Sequence, residues 1–363
     1  MIITGSVGTG KTSVTKEVAK ALGQSYISSA DVAKKAGLIK KGEVSVEALR
    51  KSMKRLEGVK EGHVLCEANF GEKTAVVLRC HPDELRRRLR ERGYSVKKVE
   101  INVEAEMLDY CFLKAKQNYA KAIEVDTTGI SAKEAAKKVI KMFKAGRGEK
   151  VDWSKELKES VREKAFVRNA YKVLFSYYGP QGWWPAKTRF EVMVGAILTQ
   201  NTAWSNVEKA IAELKRVDLL RPEKLANAKL KAVEEAIRSS GYYRQKAKRI
   251  KKIARFFLAH RRSAGREELL ALEGVGPETA DSILLYAYGK PYFVVDAYTR
   301  RMLEVHGIKR KTYDDYAWLF VSALPRNAKL YKEFHALIVR LGKEWLKEKR
   351  WKLEGYPLAS LLP

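Results

Sequence analysis

One carboxylate in the C-terminal half of the chain stands in a position suited to chemistry. Asp296 ends the apolar run Phe293-Val294-Val295 and comes directly before a segment with helical spacing. A carboxylate held there can stabilise positive charge in a transition state and orient an attacking water molecule. The same residue is also a good helix N-cap, and one side chain can serve both roles. The position of Asp296 alone leaves a chemical role and a purely structural role open.

A glycine-rich turn precedes Asp296 and could hold an anion. Two helices joined by a tight turn are predicted for Leu272-Glu273-Gly274-Val275-Gly276-Pro277-Glu278-Thr279-Ala280. Gly274 and Gly276 permit the positive φ angles that such a turn requires, and Pro277 suits the first position of the second helix. Free backbone N–H groups at that helix start can bind a DNA phosphate, although the same pattern also serves as a structural turn.

A phosphate-binding sequence lies at the N-terminus. The pattern G-x-x-x-x-G-K-[ST] is satisfied by Gly5-Ser6-Val7-Gly8-Thr9-Gly10-Lys11-Thr12, between a strand-like run and a predicted helix over 13–22. The glycines let backbone N–H groups converge on a phosphate, Lys11 neutralises its oxygens and Thr12 holds Mg²⁺. The sequence therefore predicts that ATP and Mg²⁺ are bound by Gly8, Gly10, Lys11, Thr12 and Ser13.

The apolar spacing around these motifs predicts two different folds in one chain. Residues 1–145 alternate short apolar runs with helical segments, which indicates an α/β unit with a small parallel sheet. Residues 156–363 carry helical spacing, which indicates an all-α unit of about ten helices. The polar, glycine-containing stretch between them predicts a linker over 146–155. We therefore expect a multidomain protein.

The chain carries a formal charge of +29, and Lys and Arg exceed Asp and Glu in both halves. A one-sided excess of this kind favours a polyanionic partner such as nucleic acid. A charge-rich thermophile surface is the alternative, but it would raise Glu together with Lys.

The cellular setting is inferred from cysteines and hydropathy. Cys66, Cys80 and Cys111 show no metal-ligand spacing, which fits a reduced cytosolic environment. No stretch has the length of a transmembrane helix, and no signal peptide is recognised. A cytoplasmic monomer without a membrane partner is expected.

The hairpin and Asp296 together resemble the helix-hairpin-helix, endonuclease III-related superfamily of DNA glycosylases. In that superfamily a glycine- and proline-rich loop, here Gly289-Lys290-Pro291, connects the hairpin to the catalytic aspartate, and the resemblance implies that Asp296 is this catalytic residue. The resemblance implies that the C-terminal unit binds double-stranded DNA, flips a damaged base out and cuts its N-glycosidic bond. Bifunctional relatives carry a lysine in the hairpin that attacks the sugar, and Glu278 stands at that place. A monofunctional enzyme is therefore implied.

Relatives of endonuclease III also bind an iron–sulfur cluster through four cysteines near the C-terminus. The matching positions here hold apolar or aromatic residues, which are Leu346, Leu353, Tyr356 and Leu362. Because thiolates are required, no iron–sulfur cluster is expected. We expect these side chains to form a small hydrophobic cluster instead.

Two segments, 178–185 and 190–202, resemble the cluster-free 3-methyladenine DNA glycosylases, and this resemblance covers about residues 160–363. The first segment contains Trp183 and Trp184, and Trp204 follows the second. Stacking on electron-rich indoles stabilises a cationic base by about 1–3 kcal/mol, which implies a pocket for alkylated purines. Core packing is the alternative for each tryptophan. Uracil or an oxidised base is the alternative substrate.

Other residues are assigned to DNA contact. Gln200 stands where the superfamily places a side chain that fills the gap left by the flipped nucleotide, with a helix-terminal polar residue as the alternative. Residues 241–262 contain Lys and Arg but no acid, which favours phosphate contact by Arg244, Lys246 and Lys248. A protein that binds lesions without cutting them, switched by ATP, is the alternative to an enzyme.

Residues 1–143 resemble the archaeal and nuclear-type adenylate kinases, with matches at the P-loop, 30–33, 91–98 and 124–129. The resemblance implies that Arg92 covers the transferring phosphates and that AMP accepts them, with an ATPase as the alternative. In that family an acid, a small residue and a histidine follow the third strand. Glu67-Ala68-Asn69 is taken as the matching stretch, so Glu67 is the predicted metal ligand and the histidine is replaced. The monophosphate-binding segment, 31–49, is also shorter than usual.

Overall fold

The computed structural model describes residues 1–40, 43–346 and 354–362, in which the chain forms two compact units, Met1–Arg162 and Glu163–Pro363. The first is an α/β unit and the second is helical, so the predicted multidomain fold class is confirmed. No helix in these ranges is long and apolar enough to cross a membrane.

A parallel sheet forms the centre of the first unit. In its described part the sheet has five strands in the order β2-β5-β1-β6-β7, and these are β1 (Ile2–Gly5), β2 (Tyr26–Ser28), β5 (Val59–Glu61), β6 (Thr74–Arg79) and β7 (Lys121–Asp126). A separate antiparallel pair consists of β3 (Ile39–Lys40) and β4 (Glu43–Val44). Because the large strands are parallel, their carboxyl ends meet at one edge, where ligands of such sheets bind.

Helices cover this sheet, and β1 and β6 bury apolar side chains on both faces. The helices are α1 (Lys11–Leu22), α2 (Ser29–Lys35), α3 (Val46–Lys54), α4 (Pro82–Glu91), α5 (Val96–Met107), α6 (Tyr110–Asn118) and α7 (Ala132–Ala145). The middle residues of β1 and β6, including Ile3, Val76 and Val77, are fully buried. This is why the strands appear in the sequence as continuous apolar runs.

A buried ion network lies beneath the P-loop. Arg79, only 1% exposed, pairs with Glu106 at 2.8 Å and also with Asp109 and Glu124. The second oxygen of Glu106 accepts a 2.6 Å hydrogen bond from the hydroxyl of Ser6. The network therefore ties the phosphate-binding loop to α5 and the sheet.

The second unit consists of helices packed around one core. They are α8 (Ser154–Tyr178, which begins in the first unit), α9 (Arg189–Leu198), α10 (Trp204–Arg216), α11 (Pro222–Asn227), α12 (Leu230–Ala236), α13 (Tyr243–Ala259), α14 (Arg266–Leu270), α15 (Pro277–Ser282), α16 (Ala297–Val305), α17 (Tyr313–Ala323) and α18 (Ala328–Trp345). A π-helical segment, Ile283–Ala287, continues α15. Stacked Phe293 and Phe320, with ring centroids 3.9 Å apart, lie in the core behind Asp296.

The segment predicted as a linker packs against the first unit. Glu149 donates its backbone N–H to the carbonyl of Glu124, and its carboxylate accepts from the backbone of Asp126. The indole of Trp153 donates to Glu106 over 3.4 Å. The units divide within α8, after Arg162, whereas the sequence predicted that the second unit begins at residue 156.

Candidate active site and nucleotide site

A cavity of about 830 Å³ in the second unit contains most of the C-terminal residues that the sequence selected. Its walls come from the end of α9, the glycine turn before α15, the start of α16 and one face of α18. The selected residues that line it are Trp183, Trp184, Gln200, Trp204, Gly274, Gly276, Glu278 and Asp296. Residues that are far apart in sequence are thus brought into one place.

The three tryptophans pack against one another beside this cavity. The ring centroids of Trp183 and Trp204 are 4.7 Å apart and those of Trp184 and Trp204 are 5.3 Å apart, in edge-to-face contacts. All three side chains are half-buried and line the cavity, while also packing against the core. This placement favours a pocket wall over core packing alone.

Gly195 allows Trp184 to lie directly against α9. A Cβ atom at this position would be only 3.2 Å from Cζ2 of Trp184. Gly195 is therefore a site residue that was not predicted from the sequence. The available signal was a glycine inside a helix of otherwise apolar residues.

Asp296 caps α16 with one carboxylate oxygen. Its Oδ1 accepts hydrogen bonds from the backbone N–H and from the hydroxyl of Thr299, each over 2.8 Å. The side chain is 17% exposed and lines the cavity. The structural and chemical roles are compatible because the helix uses only one of the two oxygens.

A buried histidine lies beside Asp296 and was not predicted from the sequence. Nε2 of His335 is 3.8 Å from Oδ2 of Asp296, and Nδ1 is 2.7 Å from the hydroxyl of Tyr286. Burial lowers the pKa of His335, although the Asp296 charge opposes this. The only hint in the sequence was a polar residue within the buried face of α18, since buried polar groups are informative.

Glu278 occupies the hairpin position where bifunctional relatives carry lysine. Glu278 is exposed to the solvent of the cavity that it lines. Desolvation within the cavity and the neighbouring Asp296 carboxylate raise the pKa of Glu278 to about 7, against the influence of Arg300.

The predicted hairpin forms, with a difference at one glycine. Pro277 takes the first position of α15, and Gly274 has a φ of +80°, where an added Cβ would collide with Arg249. Gly276 has a φ of −88°. The expectation of a positive φ at Gly276 was wrong, because this residue is the N-cap of α15 and takes the extended conformation typical of that position.

The basic helix α13 presents two of its three selected residues to solvent. Arg244 and Lys248 are exposed, but Lys246 is 1% exposed. Nζ of Lys246 donates to the carbonyls of Leu198 and Ser240 over 2.8 and 2.7 Å, and burial lowers its pKa to about 8. The assignment of Lys246 to DNA contact was therefore wrong, since its ammonium group is enclosed and serves helix ends.

The C-terminal positions that replace cluster cysteines contribute to the core where they are described. Leu346 is fully buried and Tyr356 is 3% exposed, and both belong to the main core of the unit. Leu362 is half-buried, and Leu353 lies outside the described residues. A hydrophobic packing role fits Leu346 and Tyr356.

The P-loop has the predicted strand–loop–helix setting. Gly8 and Gly10 have φ angles of +100° and +90°, and a Cβ on Gly8 would meet Leu85 at 2.7 Å. Nζ of Lys11 donates to the carbonyls of Gly5 and Ser6. Thr12 and Ser13 are exposed at the first turn of α1, and Arg92 is exposed at the end of α4. These residues fit a nucleotide phosphate and its Mg²⁺.

An acid–small–histidine pattern lies directly beside the P-loop, at Glu61-Gly62-His63. Glu61 ends β5 and pairs in register with Ile3 of β1. Nδ1 of His63 is 3.1 Å from the carbonyl of Gly5. The order of strands in the sheet, which the sequence did not reveal, places this stretch at the phosphate edge.

The selection of Glu67-Ala68-Asn69 for the same role is thereby corrected. Glu67 follows the 3-10 turn His63–Cys66 and accepts a 2.8 Å hydrogen bond from the hydroxyl of Tyr110. The amide of Asn69 donates to the carbonyls of Glu72 and Asn118, which is a structural role in a turn. The histidine thought to be missing is His63. A second cavity, of about 530 Å³, is lined by residues of β2, α2 and α3.

Comparison with known proteins assigns each unit separately. Residues 194–320 match the HhH-GPD superfamily of base excision DNA repair proteins, and residues 1–109 match an AAA domain family. A Methanocaldococcus jannaschii protein assigned as a DNA repair glycosylase is 47% identical over 197 residues, which are 50% of this chain and 90% of that protein.

The N-terminal unit has relatives of its own. A Pyrococcus furiosus protein assigned as an adenylate kinase is 35% identical over 172 residues, covering 44% of this chain and 93% of that protein. Among solved structures, the H. pylori 3-methyladenine DNA glycosylase bound to 1,N6-ethenoadenine is 30% identical, with a TM-score of 0.45, and the match covers 52% of this chain and 99% of that one.

Proposed function

The chain belongs to the HhH-GPD superfamily of base excision DNA repair proteins through its C-terminal unit and to the adenylate kinases through its N-terminal unit. From this premise we propose that the C-terminal unit is a monofunctional DNA N-glycosylase for alkylated purines. The observation that carries the proposal is the tryptophan wall in the same cavity as Asp296. A purine nucleotide alkylated at N3 or N7 is cationic and gains from stacking on indole rings.

The proposed reaction uses Asp296 and water. As the bond between C1′ and the base nitrogen breaks, the electron pair leaves with the base and C1′ becomes positively charged. The Asp296 carboxylate stabilises that charge and orients a water molecule, which adds to C1′, gives up one proton to the carboxylate and leaves an abasic site. Glu278 has no amine with which to form a Schiff base, so strand cleavage does not follow.

The proposed DNA face consists of exposed basic residues and the hairpin. Arg244 and Lys248 on α13 contact phosphates, which position the duplex without reading its sequence. The turn at Gly274 and the start of α15 offer backbone N–H groups to a further phosphate. Gln200 fills the gap left by the flipped nucleotide.

The test is a panel of damaged substrates. Purified protein is incubated with dimethyl sulfate-methylated DNA and with duplexes containing uracil or 8-oxoguanine, and released base is measured. We expect release of 3-methyladenine, loss of release in Asp296→Asn, and strand breaks only after alkali. Preferential release of uracil or 8-oxoguanine would contradict the alkylation specificity. Release of no base, together with ATP-dependent DNA affinity, would favour the lesion-binding alternative.

For the N-terminal unit we propose Mg²⁺-dependent transfer of the ATP γ-phosphoryl group to AMP. Lys11 and Arg92 neutralise the transferring phosphates, and Thr12 and Glu61 would hold Mg²⁺, which supplies further charge neutralisation when bound. The position of Glu61-Gly62-His63 beside the P-loop favours this activity. ADP formation from ATP plus AMP tests it, with Lys11→Ala as control. Phosphate release that does not need AMP would identify an ATPase instead.

A further inference from the structure

We propose that His335 is a positioning residue for base excision, which holds the second oxygen of the Asp296 carboxylate through its Nε2–H, and that Tyr286 orients the imidazole for this task. The proposal rests on the proposed role of Asp296 as the catalytic carboxylate. It concerns a side chain from α18 that reaches the cavity from another part of the fold.

One nitrogen of the His335 imidazole, Nδ1, has a hydrogen-bond partner, and the other, Nε2, has none among the described residues. His335 is 7% exposed, and its Nε2 lies 3.8 Å from Oδ2 of Asp296. A buried polar N–H without a partner is costly, so this atom requires a partner close by. The distance is longer than a hydrogen bond, but catalytic hydrogen bonds are often long until substrate binds.

The hydroxyl of Tyr286 can pair with either tautomer of His335, because its one proton can go to Nδ1 or to the carbonyl of Lys332. The carboxylate of Asp296 therefore decides which nitrogen carries the proton. The hydroxyl lies 2.7 Å from Nδ1 of His335 and 3.3 Å from the carbonyl of Lys332. If Nδ1 carried the proton, the lone pair of Nε2 would face the Asp296 carboxylate, and two acceptors would oppose each other. Tyr286 therefore donates to Nδ1, and Nε2–H points towards Oδ2.

This arrangement determines the direction of the reactive carboxylate. Oδ1 of Asp296 accepts two hydrogen bonds from Thr299, so Oδ2 is the oxygen that remains available to the sugar and the water. His335 restrains that oxygen from the side of α18. Tyr286 also contacts the pocket wall, with its ring centroid 5.2 Å from that of Trp184. The side chains proposed to bind the base are therefore in contact with those proposed to position Asp296.

Several charged groups surround the imidazole and must be held constant in a test. Asp296 and Glu278 share the cavity with it, Tyr286 lies on the π-helical segment, and α18 itself carries Lys332, Glu333 and Lys343. Only changes at His335 and Tyr286 leave all these charges in place. Variants at these two positions are therefore the informative ones.

The experiment compares His335→Leu, His335→Gln and Tyr286→Phe in the full chain, by single-turnover base release over a range of pH. Gln places an amide N–H near the position of Nε2, whereas Leu does not. We expect His335→Leu to be about 10- to 100-fold slower, with its acid limb moved to higher pH because the unsupported carboxylate protonates more easily. His335→Gln should stay within about 3-fold of wild type, and Tyr286→Phe should lie between. Equal losses in Gln and Leu with an unchanged pH profile, or no loss in either, would overturn the proposal.

A second measurement does not depend on turnover. The chain has five histidines, so ¹⁵N-histidine labelling gives a simple long-range ¹H–¹⁵N spectrum. We expect His335 as the neutral Nε2–H tautomer, with an Nε2 resonance that moves in Asp296→Asn. If no lesion is released at all, the glycosylase proposal fails while this spectrum still decides on His335. An Nδ1–H tautomer, or an Nε2 resonance unaffected by Asp296→Asn, would overturn it.

Discussion

The guanidinium of Arg249 donates a 2.8 Å hydrogen bond to the amide oxygen of Gln200. The amide nitrogen of the same Gln200 donates to the carbonyl of Gly274 and to the hydroxyl of Thr279, over 2.9 and 3.0 Å. Gln200 therefore ties the end of α9 to the hairpin. To enter a duplex, its side chain has to exchange these bonds for bonds to the unpaired base.

The first prediction separates the two roles of Gln200. Gln200→Ala should weaken binding to a duplex with an abasic-site analogue by about 5- to 10-fold, which corresponds to one or two lost hydrogen bonds. Binding to undamaged duplex should change much less. Fluorescence anisotropy at fixed salt measures both. Equal weakening for both duplexes would mean that Gln200 only anchors the hairpin.

The second prediction uses two lysines that are neighbours on α13. Lys248→Ala should weaken DNA binding and reduce the slope of log Kd against log salt by about 1, because one phosphate contact is lost. Lys246→Ala should leave that slope unchanged. It should instead lower the free energy of unfolding by about 2–3 kcal/mol, because the buried carbonyls of Leu198 and Ser240 lose their donor.

Salt titrations and denaturant unfolding of both variants check this pair. A lower salt slope in Lys246→Ala would show that its ammonium group reaches DNA after all.

The sequence was sufficient for the fold class and for residues whose role depends on local pattern. The P-loop, the turn at Gly274 and the N-cap at Asp296 are defined by neighbouring residues, so their positions followed from spacing. Lys246 was misassigned because a run of charges does not indicate which side chain faces inward. One face of α13, a helix of 17 residues, is buried, and Lys246 lies on that face.

Contacts between distant segments could not be predicted from the sequence, because local pattern does not show which segments pack together. His335 and Asp296 meet only after α18 packs against the start of α16, and no local spacing relates them. Glu61 was overlooked because its relation to the P-loop depends on the pairing of β5 with β1. In both cases the missing information was tertiary.

The third prediction concerns pH and Glu278. Its pKa is about 7 in the folded protein against an ordinary value of 4.5, so between these values the unfolded state binds fewer protons than the folded state. The free energy of unfolding should therefore fall as pH rises through this interval. Glu278→Gln lacks this contribution, so its stability relative to wild type should increase from about pH 4.5 to 7 and remain constant beyond.

Denaturant unfolding at several pH values, followed by tryptophan fluorescence, measures the difference. A difference that does not vary with pH would mean that Glu278 titrates as an ordinary exposed glutamate.

The last prediction tests the proposal that the enzyme is monofunctional. Glu278→Lys places an amine at the hairpin position from which bifunctional relatives attack C1′, in a cavity where the neighbouring Asp296 remains. We expect this variant to form a Schiff base with the abasic sugar, which borohydride reduces to a covalent protein–DNA adduct visible on a denaturing gel. Wild type and Glu278→Gln should give no adduct. Trapping of wild type would contradict the monofunctional assignment and would direct attention to Lys343, an amine that also lines the cavity. Lys343→Gln would then abolish the adduct, whereas it should leave the adduct of Glu278→Lys intact.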